Sequence, residues 1–495
     1  MVIAQYTIRS KQKYIFKTNK IKDIVGASDI ISHAWDILFE AAEKADMILR
    51  KADDREPFSL EGIKDEFNNG SLAGVELFRG GGNETFLFKD EEKYKKLNQY
   101  FSYRVIKEYP GLVPMAVCTE VTGDYRKDYA ALMKEAEKKK KVMFPGRNDF
   151  LVPFAMVDRN TFQPCTDTET MAGKTERISS ETKSKRKAGK AVIDTDPAVK
   201  ILDDMVTRRG EESLLAIVHA DGNNMGSKIQ LMLGDKKDYD SCVRMMRKFT
   251  GETAEVFTSV GLDAMTQKRE DLIKLYPNID KGKFLFRKLI ADGDDLTFIC
   301  NARYALAYTK AYLKAVKEHN DGDWTYSSCA GICYFHSHYP FVRAYEIAEQ
   351  CCDNAKVRIH GADSDIKEES WIDYHYIHSG IGGNLEEIRD RQGTIISMAR
   401  PWRVTADVND YRNIDKLSRI YRVFKDLKVA RTAVKNMGSD WEQSHSEGRM
   451  DYIKICGHTK GLQESLKKIE PDDNELMKMI YDLYEIIDIW TEEER

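Results

Sequence analysis

The sequence predicts an α+β fold. Two ferredoxin-like units pack as a pseudo-dimer, with a linker insertion between them and a helical C-terminal domain after them. Three observations lead there. The order strand, helix, hairpin, helix, strand, helix occurs twice along the 495 residues. Each copy carries a distinctive hairpin: Arg79-Gly80-Gly81-Gly82-Asn83 at the tip in the first, and Asp292-Gly293-Asp294-Asp295 in the second. The spacing repeats too, because Asp221 closes a strand 71 residues before Asp292, and Arg9 closes a strand 71 residues before Gly80. Internal duplication decides the fold class, and the repeated unit is a split βαββαβ motif with helices on one face of its sheet.

The elements follow in order. Residues 2–9 (VIAQYTIR) read as a strand. Ile30, Ile31, Ala34, Trp35, Leu38 and Phe39 form a helical apolar stripe facing a core. Lys51 to Asn69 is a mostly polar connection. Gly74–Phe78 and Thr85–Phe88 flank the glycine-rich tip. Tyr94, Leu97, Phe101 and Val105 mark an amphipathic helix that ends before Pro110. Val113–Val121 is a strand, and residues 125–142 a charged helix. The run Thr161 to Lys190 is rich in Thr, Ser, Lys and Arg and poor in large apolar residues, which reads as a partly flexible linker with a solvated SKRKAGK stretch. Leu214–Ala220 (LLAIVHA) is a buried strand leading into Asp221-Gly222-Asn223-Asn224-Met225-Gly226. A helical zone near 237–260, the acidic hairpin, a helix at 302–318, a strand at 325–335, a helix at 341–358 and the alternating WIDYHYI (371–377) complete the second unit. The expected division is 1–145, 146–210, 211–384 and 385–495, the last with helical patterns at Leu417–Phe424 and Leu476–Trp490.

Composition narrows the class. The chain is 42% hydrophobic and 32% charged, with no apolar run long enough to span a membrane and no signal-peptide layout, so the expectation is a cytoplasmic protein without membrane contact. A net charge of −4 argues against strong unaided nucleic-acid binding. The nine cysteines form no CxxC pair, which implies reduced, mostly buried thiols. Cys329, Cys333, His336 and His338 stand close in sequence, but two ligands on one strand do not make a tetrahedral zinc cage, so core cysteines beside a surface loop are the reading.

The chemistry concentrates at the second hairpin. An Asp-Gly pair between β-prone runs is a strong turn signal. Taken alone, the DGDD tip reads equally as an acidic turn or a metal site. In a ferredoxin-like sheet the first strand lies beside the central hairpin, so Asp221 falls near Asp294 and Asp295. Three carboxylates there repel one another unless a cation neutralises them, and they form a site for one or two Mg²⁺ or Mn²⁺ ions. Gly222 to Gly226 let the backbone approach a phosphate at a helix start. Lys356, at the end of the helix EIAEQCCDNAK, is placed to reach a triphosphate, although a lone lysine there also reads as solvated. Met225 reads as a core plug. The first copy lacks the acids, so Gly81, Gly82 and Asn83 offer either a close backbone surface to a second nucleotide or only a tight turn.

The ordered set DGNNMG and DGDD, preceded by GGGN and by Gly26-Ala27-Ser28, resembles the large subunit of type III CRISPR effector complexes, the Csm/Cmr polymerase–cyclase family. Ser328-Cys-Ala-Gly-Ile332, the helix ending at Lys356, WIDYHYI and Arg400-Pro401-Trp402 agree with it, and the resemblance spans roughly residues 1–405. It implies two palm domains related to GGDEF cyclases and synthesis of cyclic oligoadenylate from ATP in the second palm. It also implies Asp221 and Asp294 as metal ligands, Asp295 as the second acid of the pair, and nucleotide contacts at Gly222, Asn223, Asn224, Gly226, Ser328 and Lys356. Implied partners are nucleoside triphosphates, effector subunits and guide or target RNA. The chain departs from the family at Asp292, where the first hairpin glycine is replaced. It has no His-Asp dipeptide, and only Cys165 between the palms, so neither an HD nuclease nor the inter-palm zinc module is expected, as in a reduced or stand-alone relative. Three functions stand: an ATP-consuming cyclic oligonucleotide synthase, a non-catalytic scaffold of an RNA-guided complex, and a stand-alone cyclic dinucleotide synthase.

Overall fold

A computed structural model describes residues 1–18, 20–53, 58–142, 156–171, 174–195, 213–319, 324–359, 368–378, 382–405, 407 and 409–493. Its first sheet holds β1 (Val2–Arg9), β2 (Leu49–Arg50), β3 (Gly74–Gly80), β4 (Asn83–Phe88) and β5 (Val113–Glu120), in the order β2-β3-β4-β1-β5. A small ribbon pairs β6 (Asp167–Met171) with β7 (Lys174–Ile178). The second large sheet holds β8 (Leu214–Gly222), β9 (Phe286–Asp292), β10 (Asp295–Asn301), β11 (Ser328–His336), β12 (Ser370–Tyr376) and β13 (Trp402–Val404), in the order β13-β12-β11-β8-β10-β9. Both sheets share one core arrangement. The first strand (β1 or β8) lies between the inner hairpin strand (β4 or β10) and the strand that follows (β5 or β11), antiparallel to both. This is the ferredoxin-like order, present twice.

Helices cover both faces of each sheet, not one. Val2, Ala4, Tyr6 and Ile8 of β1 face the helices Ala34–Lys44 and Glu91–Glu108, while Ile3 faces a core shared with Tyr125–Val142. In β8, Ala216, Val218 and Ala220 face the helices Tyr239–Ala254 and Ala305–Glu318, and Leu215 and Ile217 face Phe341–Val357. The physical reason is clearest in β8, whose LLAIV is a continuous apolar run, the pattern of a strand buried on two sides; in β1 even Gln5 and Thr7, on the face of Ile3, are buried.

The two units are not separate globules. Each of the two large cores contains residues from both sheets. Phe16 stacks on Tyr345 with ring centres 4.5 Å apart. Arg247, on the helix Tyr239–Ala254, donates to the carbonyls of Leu77 at 2.6 Å and Glu76 at 3.2 Å. Ser28 donates to the carbonyl of Leu289 in β9.

The Thr161–Lys190 run corrects the linker reading over its described part. It forms the β6–β7 ribbon and the helix Ser180–Thr195, which lies against the helix Ile21–Ser32. Residues 143–155 and 196–212 lie outside the described residues. Gly26 and Gly189 make the close approach possible: a Cβ on Gly26 would stand 2.6 Å from the amide nitrogen of Gly189. The basic stretch is partly internal. Buried Lys185 donates to the Tyr14 carbonyl and to Glu181, both at 2.6 Å. Buried Arg186 pairs with Asp23 at 3.0 Å, Glu169 at 2.6 Å and Glu176 at 3.0 Å. The polar connection before β3 also contains a helix, Leu60–Asn68, capped by Ser59.

The last quarter is helical, from Asp415–Asp426 to Asp473–Ile486. It is tied to the second sheet by buried charge. Asp482 accepts from the Arg400 guanidinium at 3.0 Å and from Trp402 Nε1 at 2.9 Å, and Arg389 grips Asp373 of β12 with two bonds of 2.8 and 3.0 Å.

Substituting Gly189→Ala forces a methyl into a closed helix–helix contact. Overpacking of this kind costs about 1–3 kcal/mol. The urea midpoint should fall with an unchanged slope, while Lys187→Ala, on the exposed side of the same helix, should leave it in place.

Candidate active site

The site forms where β8, β10 and β11 end together. In the β8–β10 ladder Ala220 stands opposite Leu296, which brings Asp221 level with Asp295. One ligand atom from each of His219, Asp221 and Asp295 lies within 4.8 Å of the other two. Asp294, one residue earlier, closes on β8 from the hairpin turn. A Cβ on Gly222 would stand 2.7 Å from Asp294 Cβ, so only glycine lets the strand end and the hairpin approach this closely. Lys356, at the last turn of Phe341–Val357, forms an ion pair with Asp221 and donates to the Gly222 carbonyl at 3.1 Å.

The charges strain against one another. Burial, then the neighbouring Asp221, pushes the Asp294 carboxyl up to about 6. Burial, then Asp221 and Asp294, drives Asp295 up as well. Burial opposes the charge on Lys356, yet Asp221 raises it above the ordinary lysine value. Burial holds His219 down to about 4. Two carboxyls held up by burial and like charge, a third carboxylate and an imidazole at one place fit a divalent cation, which would replace repulsion by coordination.

The residues expected at the nucleotide divide into two groups. Gly222, Gly226, Asn224 and Lys356 border the site. Asn224 has φ +58° and precedes the helix Met225–Leu233, and a Cβ on Gly226 would meet nothing within 4 Å. Asn223 and Ser328 turn inward instead. Asn223 is buried, donating through Nδ2 to Ser327 Oγ at 2.8 Å and to the Glu369 carbonyl at 2.9 Å. Ser328 Oγ donates to the Asp221 carbonyl at 3.0 Å. Both fix the strand ends beneath the acids. Met225 packs at the edge of the core as the sequence implies, and Cys329 and Cys333 are buried in β11.

The glycine-rich tip of the first unit meets the acidic tip of the second. Gly81 and Gly82 have φ of +56° and +70°, Gly293 has +64°, and a Cβ on Gly293 would stand 2.8 Å from the Gly81 amide nitrogen. Asn83 closes its own turn, donating to the Gly81 carbonyl at 3.0 Å. Asp292, the departure from a glycine, forms an ion pair with Lys11 of the first unit, and Lys11 also donates to the Gly82 carbonyl at 3.4 Å. Beside the joined tips are two cavities. One of about 290 Å³ is lined by Lys11, Ser28, Asp29, Arg79, Arg287 and Asp292; the other, of about 350 Å³, by Arg79, Gly80, Arg247, Thr250 and Gly293.

His219 and Lys11 escaped the motif reading. His219 was visible in principle, because alternation along β8 puts residue 219 on the face of residue 221. Lys11 carries no local signal, since its partner is 281 residues away.

With this geometry in hand, residues 214–363 match the family model of the Cas10/Cmr2 second palm domain. This segment is similar to the Cas10-type second palm. The resemblance drawn from the motifs holds over it. Among solved structures, the chain is similar to the Csm1–Csm4 cassette in complex with cA4, at 11% identity over 98% of this chain and 69% of that one, with a TM-score of 0.49. The cassette in complex with one ATP gives 11% over 99% and 70%, TM-score 0.49. The Csm1–Csm4 subcomplex of the type III-A CRISPR-Csm interference complex gives 12% over 98% and 69%, TM-score 0.48. No curated protein sequence matches the chain. Among the described residues, no helix is long and apolar enough to cross a membrane.

The clustered acids yield a pH prediction for the metal-free protein. Asp294 keeps its proton to higher pH folded than unfolded, so its contribution to stability falls as pH rises from about 3.8 to about 6. In chelator, Asp294→Asn should gain on the order of 1–3 kcal/mol over wild type at pH 7, and the gain should vanish below pH 4, as read by urea denaturation at each pH.

Proposed function

We propose that this chain is a metal-dependent nucleotidyltransferase that converts ATP into cyclic oligoadenylate-type second messengers, as the polymerase–cyclase subunit of a type III CRISPR-type defence system. Residues 1–145 form a degenerate palm, 146–210 an insertion, 211–384 the catalytic palm and 385–495 a helical domain. The observation that carries this reading is the meeting of Asp221 and Asp295 with Lys356 at neighbouring strand ends, with Asp294 against Gly222 on the hairpin turn, in a segment that matches the Cas10/Cmr2 second palm domain.

Asp221, Asp294 and Asp295 would hold the Mg²⁺ or Mn²⁺. The ion supplies charge neutralisation for the leaving pyrophosphate and acidifies the attacking 3′-hydroxyl. The protein's own part is positioning. Lys356 stands on Asp221 where a cation would stand, and with metal and substrate present it passes to the triphosphate. Backbone N–H groups from Asn224 to Gly226 open a helix and face the phosphates. Gly81, Gly82 and Asn83 give the second nucleotide a surface without side-chain bulk, and Lys11 neutralises Asp292 so that the added carboxylate does not repel that nucleotide. Effector subunits and guide or target RNA are the proposed macromolecular partners.

The test is incubation with ATP and Mg²⁺ or Mn²⁺, with and without guide and target RNA, following pyrophosphate and weighing the product. Asp221→Ala and Asp295→Ala should each lower release by about 10²-fold or more. Lys356→Ala should lower it by about 10-fold or more through lost triphosphate stabilisation. Absence of release under every condition, or unchanged release in Asp294→Ala, would sink the reading.

A further inference from the structure

We propose that His219 is a further protein ligand of the metal beside the carboxylates, and that its nitrogen turns the site toward a borderline ion, Mn²⁺ ahead of Mg²⁺. The inference rests on the reading of Asp221 and Asp295 as metal ligands and adds what neither their positions nor the palm fold implies.

Four observations support it. An imidazole nitrogen of His219 lies within 4.8 Å of carboxylate oxygens of both Asp221 and Asp295, and these three make the one His/Cys/Asp/Glu group of metal-binding compactness among the described residues. His219 is 7% exposed, so its ring is enclosed within the protein beside the acids. Its ring is fixed from two sides. Nδ1 lies 3.2 Å from Thr297 Oγ1, a fully buried hydroxyl directly opposite in the β8–β10 ladder, and the Tyr345 ring meets it edge-on with centres 5.6 Å apart. With Nδ1 held by the threonine, Nε2 is the nitrogen left for a ligand. Metal-bound histidines are oriented in this way, one nitrogen on the ion and the other on a neighbouring polar group.

The consequence concerns which ion is chosen. Mg²⁺ takes hard oxygen donors and sheds water reluctantly, so an imidazole adds little to its binding. First-row transition ions accept mixed oxygen and nitrogen donors and gain from imidazole. An imidazole added to the carboxylates on these adjacent strands therefore favours Mn²⁺ over Mg²⁺, where carboxylates alone would discriminate less.

The test uses the full chain and metal alone. Mn²⁺ binding is titrated by the loss of the free-ion EPR signal, Mg²⁺ by competition, and the bound ion is examined by electron spin echo envelope modulation. Wild type should show nitrogen coupling of a directly bound imidazole. In His219→Gln that coupling should vanish and Mn²⁺ should bind about tenfold more weakly, with Mg²⁺ moved less than about twofold. Bound Mn²⁺ without nitrogen coupling in wild type, equal Mn²⁺ affinity in His219→Gln, or no Mn²⁺ binding at all overturns the proposal. The wild-type spectrum needs no variant to fold. Nitrogen coupling in a protein that releases no pyrophosphate upholds His219 and defeats the reaction; normal release with no coupling does the reverse.

Discussion

Like charge at the end of one strand ladder is the constraint around which this protein is built. The β8–β10 register sets Asp221 beside Asp295, and the turn adds Asp294. Carboxylates this close cannot all stay ionised without a counter-charge. The structure answers with Lys356 on Asp221, raised proton affinity at Asp294 and Asp295, and a second ion pair, Lys11 to Asp292, at the far side of the hairpin. Each answer is drawn from a different element, so the sheet, the helix Phe341–Val357 and the first unit are all committed to one charge problem.

Below the acids lies a rigid support. Asn223 donates to the Ser327 hydroxyl and the Glu369 carbonyl, and Ser328 to the Asp221 carbonyl, so they hold β8 to β11 and to the chain before β12. Further out, Asn354 donates to Asp373 at 2.7 Å, and Asp373 is held in turn by Arg389. Through Arg400, near Asp373 and bonded to Asp482, the C-terminal helices reach the same strand. A buried guanidinium stripped of its carboxylates is far costlier than an exposed one. The helical end is therefore bound to the palm sheet by an electrostatic as well as an apolar debt.

Much of this was legible in the sequence because it is local. The Asp-Gly turn, the apolar run ending at Asp221 and the repeat of 71 residues each announce themselves within a short window. The palm order followed from them. The covering of both sheet faces was also legible, in runs such as LLAIVHA that fail to alternate, but the motif suggested a one-sided sheet and prevailed. What was not legible depends on distant partners. The SKRKAGK stretch looks solvated until Asp23, Glu169, Glu176 and Glu181 are brought around it. Asn223 and Ser328 look like ligand residues because their polar groups have no visible partner along the chain. His219 sat in plain view, masked by the apolar run that contains it.

The contact of Gly293 with Gly81 has a consequence for the duplicated hairpins. The first tip carries no acid, yet it is not free of constraint, because a side chain at Gly293 would run into the Gly81 backbone and one at Gly82 would displace the Lys11–Asp292 pair. Chemistry and shape are thus separable obligations in a duplicated fold. One copy can let its reactive groups lapse while still being held, atom against atom, to the outline that its partner needs.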